Sequence, residues 1–248
     1  MKTNMNMPKV RKKEGNKKPA FKNQDLKRLR YAFISGILII VLFVLSIILN
    51  NLFTDNIETL QILSMIQNVL TIIFIFYFFS GFILLGREYD RLLKVASILM
   101  IILIVGFYLL MLFSASFFGK NMILNLDEKV KSIGFNSATE FFDYLSTNQA
   151  EAQQYSDFIV NEVIPLILPL VIMIFAYLLV FLVAAIIFGV GLIKIGGDVK
   201  YAKIAGILEI IGAGTMIFFV GIFIWLGAYI FMLIILFRES KKQNAVKS

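Results

Sequence analysis

Five stretches of this chain are too apolar and too free of charge to form water-facing helices. Tyr31–Thr54 carries no ionised group, and Phe33–Leu49 is nearly unbroken Ile, Leu, Val and Phe. Thr59–Gly86, Val95–Phe118 and Val163–Ile193 are likewise uncharged, and in Ile204–Phe237 the only charge is Glu209. A helix on a soluble domain keeps a charged face toward water, whereas these segments are apolar all round. A bilayer core of about 30 Å takes about 20 helical residues, so each stretch is long enough to cross. The composition agrees: 59% of residues are hydrophobic and 16% charged, against roughly 45–50% and 25% in soluble domains. The expected fold is all-α, a polytopic helical membrane bundle.

The number of spans turns on residues 204–237. As one helix this stretch would be about 50 Å long at 1.5 Å per residue, leaving the apolar Trp225–Phe237 run outside lipid. Two short spans with a turn near Gly221 avoid that. Gly214, Gly221 and Ala228 form a seven-residue small-residue stripe that favours a single helix, the five-span alternative. Charge distribution favours six. Successive extramembrane segments carry eleven, zero, three, three, three and four Lys/Arg. The positive-inside rule then places the N-terminal tail and the 87–94 and 194–203 connectors in the cytoplasm, and residues 50–58 and 119–162 outside. The basic C-terminal tail (Arg238, Lys241, Lys242, Lys247) joins the cytoplasmic side only with six spans. The expected location is the plasma membrane.

The resulting divisions are a basic cytoplasmic tail (1–30), three spans (31–118), an extracytoplasmic acidic insertion (119–162), the C-terminal spans (163–237) and a basic tail (238–248). Residues 1–30 hold eleven Lys/Arg against Glu14 and Asp25. Such a tail orients the first span or attracts anionic lipid. Its basic residues are not interleaved with aromatics for base stacking, so no nucleic-acid partner is expected. The apolar run that follows is too long for a signal-peptide h-region and reads as a retained anchor. Within the insertion, three helix starts are read from a capping residue followed by Glu three positions on: Asn125…Glu128, Ser137…Glu140 and Asn148…Glu151. Gly134 is placed to end the first helix, and Phe141, Phe142 and Leu145 give the second an apolar face. The third is expected to run on into the fourth span, where Pro165 and Pro169 each remove a backbone donor.

Two hairpins look like copies of one unit. Gly81-Phe-Ile-Leu-Leu-Gly86 aligns with Gly191-Leu-Ile-Lys-Ile-Gly196, and Lys94-Val-Ala-Ser-Ile-Leu-Met-Ile-Ile102 with Lys203-Ile-Ala-Gly-Ile-Leu-Glu-Ile-Ile211; nine of these fifteen positions are identical. Both copies run inward and then outward, so the repeat is parallel. Gly81, Gly86, Gly191 and Gly196 on the descending helices, with Ala96, Ala205 and Gly206 on the ascending ones, are small residues that let backbones approach where lipid gives no hydrophobic drive for pairing. Lys94 and Lys203 begin the ascending helices and are read as interfacial anchors.

Chemistry-bearing candidates are few. The absence of Cys and His removes thiol nucleophiles, disulfides and imidazole acid–base or metal chemistry. There is no phosphate-binding or dinucleotide glycine loop and no Gly-x-Ser-x-Gly elbow, so neither an enzyme nor a cofactor is expected. Glu209 is the one acid well inside a span, about 9 Å beyond Lys203. An intramembrane carboxyl marks an ion, proton or partner site by default, yet this depth also suits a structural, headgroup-paired side chain. Gln61, Gln67 and Asn68 suit inter-helix hydrogen bonding.

The block from Gly191 through Lys203-Ile-Ala-Gly-Ile-Leu-Glu-Ile-Ile-Gly212 resembles small, uncharacterised archaeal multi-pass integral membrane proteins that end in a Gly-punctuated helical hairpin. The resemblance covers about a quarter of the chain and implies an archaeal plasma-membrane protein. It brings no activity with it. The leading expectation is therefore a non-enzymatic scaffold or accessory subunit whose partners are membrane lipids and other membrane subunits or copies of itself. The alternative is a small-solute or ion transporter or channel using Glu209.

Overall fold

Uncharged helices must meet neighbours through shape alone, and the fold shows where they do. The computed structural model describes residues 21–52, 57–113, 120–148, 152–218 and 220–242. Outside them lie the basic tail up to residue 20, Asp55, the expected end of the third span at Phe118, Glu151 and Lys247. Every regular element among the described residues is helical.

The first three helices, α1 (Asn23–Leu52), α2 (Ile57–Glu88) and α3 (Arg91–Phe113), follow the first three apolar runs. α1 starts before the apolar run, so Lys27, Arg28 and Arg30 ride on its first turns and the boundary drawn at residue 30 falls inside a helix. The insertion then forms α4 (Lys120–Lys131) and α5 (Ala138–Thr147). A short run, Ala152–Tyr155 and α6 (Ser156–Phe158), leads through a π turn (Ile159–Val163) into α7 (Ile164–Ile195). α8 (Ala202–Thr215), a 3₁₀ turn (Met216–Phe218) and α9 (Val220–Lys241) complete the chain. Five of the helical runs are long and apolar enough to cross a membrane: α1, α2, α3, the run ending in α7, and α9. They fit a multi-pass membrane protein. α8, with 14 residues, is about 21 Å long and falls short of a full crossing.

Residues 204–237 are not one helix. The chain turns back between Thr215 and Val220, and α8 and α9 lie side by side. The small-residue stripe is divided accordingly: Gly214 faces open space, Gly221 sits in the turn against Met216 and the Gly212 carbonyl, and Ala228 is buried in α9. A Cβ on Gly221 would collide with backbone, which is why this turn needs glycine.

Each bundle helix packs on the next: α1 on α2, α2 on α3, α3 on α7, α7 on α8, α8 on α9, and α9 back on α1. Aromatic side chains fill the middle. Phe82 of α2 meets Phe188 of α7 edge-to-face at 5.4 Å, and Phe78 of α2 stacks on Tyr229 of α9 at 4.9 Å. Phe78, Phe82 and Phe188 are fully buried. The buried core lies toward the end of the bundle that holds the 87–94 and 194–203 connectors. Toward the other end, Phe43 and Ile47 of α1, Met65 and Val69 of α2, and Val171 and Phe175 of α7 are exposed. Soluble monomers rarely expose contiguous apolar patches larger than a few hundred Å²; acyl chains would cover these.

The insertion has a core of its own, in which Leu126, Val130, Phe141 and Val163 are buried. Ser137 caps α5 by accepting from the Glu140 amide at 3.2 Å, as its sequence spacing suggests. Gly134, at φ +97°, ends α4; the Phe135 amide donates to Val130 O and the Gly134 amide to Lys131 O, the paired bonds of a left-handed helix stop. Asn125, by contrast, starts nothing: it lies in the middle of α4, where a polar side chain three residues before an acid is simply a helix surface. Asn148 is the C-cap of α5, and the rest of the expected Asn148…Glu151 start lies outside the described residues. Phe141 is fully buried, whereas Phe142 points outward. The run from Ser156 into α7 is helical throughout. Its π turn ends two residues before Pro165, which has no N–H to donate and whose ring crowds the carbonyl four residues back.

Candidate functional site

Glu209 lies on the face of α8 that packs into α7 and α9. Gly206, one turn earlier, brings the α8 backbone against the Gly189 carbonyl of α7; a Cβ there would overlap that oxygen. At this close crossing Glu209 is buried, with 1% of its surface exposed. Its position is fixed from α9, where the Trp225 Nε1–H donates to Oε1 at 2.6 Å, and Phe181 of α7 meets the indole edge-to-face at 5.8 Å. Oε2 is buried without a hydrogen-bond partner. A separation of sixteen positions explains why the pair cannot be read from spacing; only the fold-back brings them together.

The small residues picked out by the hairpin alignment all fall at helix contacts. Gly81 faces Ala32 of α1 and Leu236 of α9, and Gly191 faces the Leu93 backbone of α3. Gly86 and Gly196 occupy matching places, each against the first turn of the helix that follows, at Lys94 and Lys203 respectively. Ala96 and Ala205 are fully buried. Lys203 is exposed at the same end of the bundle and Lys94 half-buried. Gln67 donates to Leu42 O of α1 at 2.9 Å, the inter-helix bond its residue type suggests. The Gln61 side chain lies outside the described ones.

That end of the bundle also carries an ionic cluster that sequence reading passed over. Glu239, 1% exposed, accepts from Tyr89 of the α2–α3 connector at 3.3 Å and pairs with Lys242 at 2.6 Å. Asp25 of α1 pairs with Arg87 at 3.3 Å. These contacts tie the start of α1 and the end of α9 to the end of α2 and the residue after it. Burial, and then the negative charge of Glu239, push the Tyr89 phenol well up from its ordinary value, so it stays a donor. Glu239 sits among the basic residues Arg238, Lys241 and Lys242, which hide it; the available signal was the Glu239–Lys242 spacing of three.

Comparison with protein-family models, curated proteins and solved structures finds no match. The residues themselves therefore carry the functional argument.

Proposed function

We propose that the chain is a non-enzymatic plasma-membrane subunit, a scaffold for a larger membrane complex or for copies of itself. The observation that carries this reading is the aromatic plug. Phe78 and Phe82, Phe188 and Tyr229 come from three different helices and meet across the bundle axis, and the three phenylalanines are fully buried. A channel would need that axis open. Close glycine contacts at α3–α7 and α1–α2 suit a rigid block better than a moving gate.

In this reading α8 is a short membrane segment, the fifth of six. It enters from the cytoplasmic side and returns as α9, leaving both termini in the cytoplasm and residues 119–162 outside. Matching roles for Gly86 and Gly196 support the α2–α3 and α7–α8 hairpins as copies of one unit. Lipid is the solvent for the outer helix faces, and some of those faces are where other subunits dock. The competing reading, a transporter coupled through Glu209, is favoured only by the unpartnered Oε2.

Native mass spectrometry of protein extracted gently from its own membrane decides between them. The scaffold reading expects a defined oligomer or stoichiometric partners. A lone monomer that moves solute in proteoliposomes, with flux abolished by Glu209→Gln, contradicts it.

A further inference from the structure

A buried carboxyl with one oxygen unsatisfied is stable only if its charge is neutralised. Among the described residues Glu209 has no ion-pair partner, and its one hydrogen bond is the indole donation at Oε1. The groups on the helices packed around it are poorly placed to serve. On α7 the titratable side chains are Tyr177 and Lys194. Tyr177 lies twelve residues from Gly189, or about 18 Å along the axis, and the exposed Lys194 five residues away, about 7.5 Å. On α9, Tyr229 donates instead to Gly36 O at 2.8 Å, while Arg238, Glu239 and Lys241 lie thirteen residues or more beyond Trp225, at least about 20 Å along the axis. On α8 itself Lys203 is exposed, six residues or about 9 Å back. On the α7 side the residue facing Glu209 is Gly189, which has no side chain to offer the acid.

We propose that Glu209 is a proton-binding site: Oε2 carries the proton, Oε1 accepts from Trp225, and loss of the proton loosens the α8–α9 hairpin from α7. The ionised form would leave a negative charge in a glycine-tight, apolar contact beside a single donor. Separating the helices is then the available way to hydrate it. This inference is independent of the scaffold reading, since a proton-linked contact serves a subunit as well as a transporter.

The chain contains one tryptophan, and it is the residue bonded to the acid, so its emission reports on this contact alone. The full chain in lipid nanodiscs is titrated from mildly acidic to alkaline pH while Trp225 emission is followed. The expected result is a one-proton red shift in wild type that is absent in Glu209→Gln, where the amide oxygen still accepts from the indole and nothing ionises. Infrared spectra of the unmutated chain with isotope-labelled glutamate supply a readout that needs no variant to fold. They are expected to show a protonated carboxylic-acid band at neutral pH, lost across the same transition. A wild-type emission curve that stays flat, an equal transition in Glu209→Gln, or a glutamate signal that is wholly carboxylate at neutral pH overturns the proposal.

Discussion

Gly206→Leu is expected to separate α8 from α7 and cost about 3 kcal/mol or more of bundle stability, at or above the upper end for an overpacked core. The reason is the nature of the obstacle. A Cβ at residue 206 meets the Gly189 carbonyl and the Ile193 amide nitrogen, both main-chain atoms of a helix that is itself held on α3 through Gly191 and Leu93. Neither can rotate away as a side-chain tip would. Gly214→Ala is the matched control in the same helix, because nothing lies within 4 Å of a Cβ there. It is expected to be neutral, or stabilising by up to about 1 kcal/mol from helix propensity. Denaturation in mild detergent, followed by Trp225 emission, reads both, and equal effects of the two substitutions would refute the close α7–α8 crossing.

Phe141→Ala should have an effect of similar size in a different place. Phe141 is fully buried and meets Phe135, Tyr155 and Phe158 edge-to-face at 5.2, 5.6 and 5.6 Å. Its removal is expected to cost about 3–5 kcal/mol, more than a small cluster of about forty residues holds in reserve. The insertion should therefore open while the bundle stays folded. The measurement is limited trypsin digestion: cleavage at Lys129 and Lys131 of α4 should become rapid, while Trp225 emission remains that of wild type and helical content falls by no more than the insertion's own helices. Loss of the bundle signal along with the insertion would mean that the two cores fold as one.

The helical class and the positions of the apolar helices were legible in the sequence because uncharged runs of this length have few places to go. Gly134 and Ser137 were also legible, since a left-handed stop and a side-chain cap each depend on one residue type at one position. Asn125 misled because the same spacing of Asn and Glu arises on any helix surface. Residues 204–237 held a real ambiguity: the stripe of Gly214, Gly221 and Ala228 has helical spacing, and what resolves it is the side-by-side packing of α8 and α9. Glu209 stood out from sequence as a charge out of place, but Trp225 did not, as an uncharged aromatic within an apolar run. Glu239 was masked by the basic residues around it, and its burial depends on Tyr89, 150 positions away.

The hairpin made by α8 and α9 is the point on which sidedness, repeat and site all depend. The chain contains no cysteine, so single substitutions give clean labelling positions. Ser146→Cys in the insertion, Gly197→Cys in the α7–α8 connector and Ser240→Cys near the end of α9 would each be exposed to a membrane-impermeant maleimide in intact cells and again after permeabilisation. The expected result is labelling of the Ser146→Cys protein in intact cells, and of the other two only once the membrane is opened. Labelling of Ser146→Cys and Ser240→Cys from the same side would contradict the account, because it leaves no room for a segment that enters the membrane and comes back.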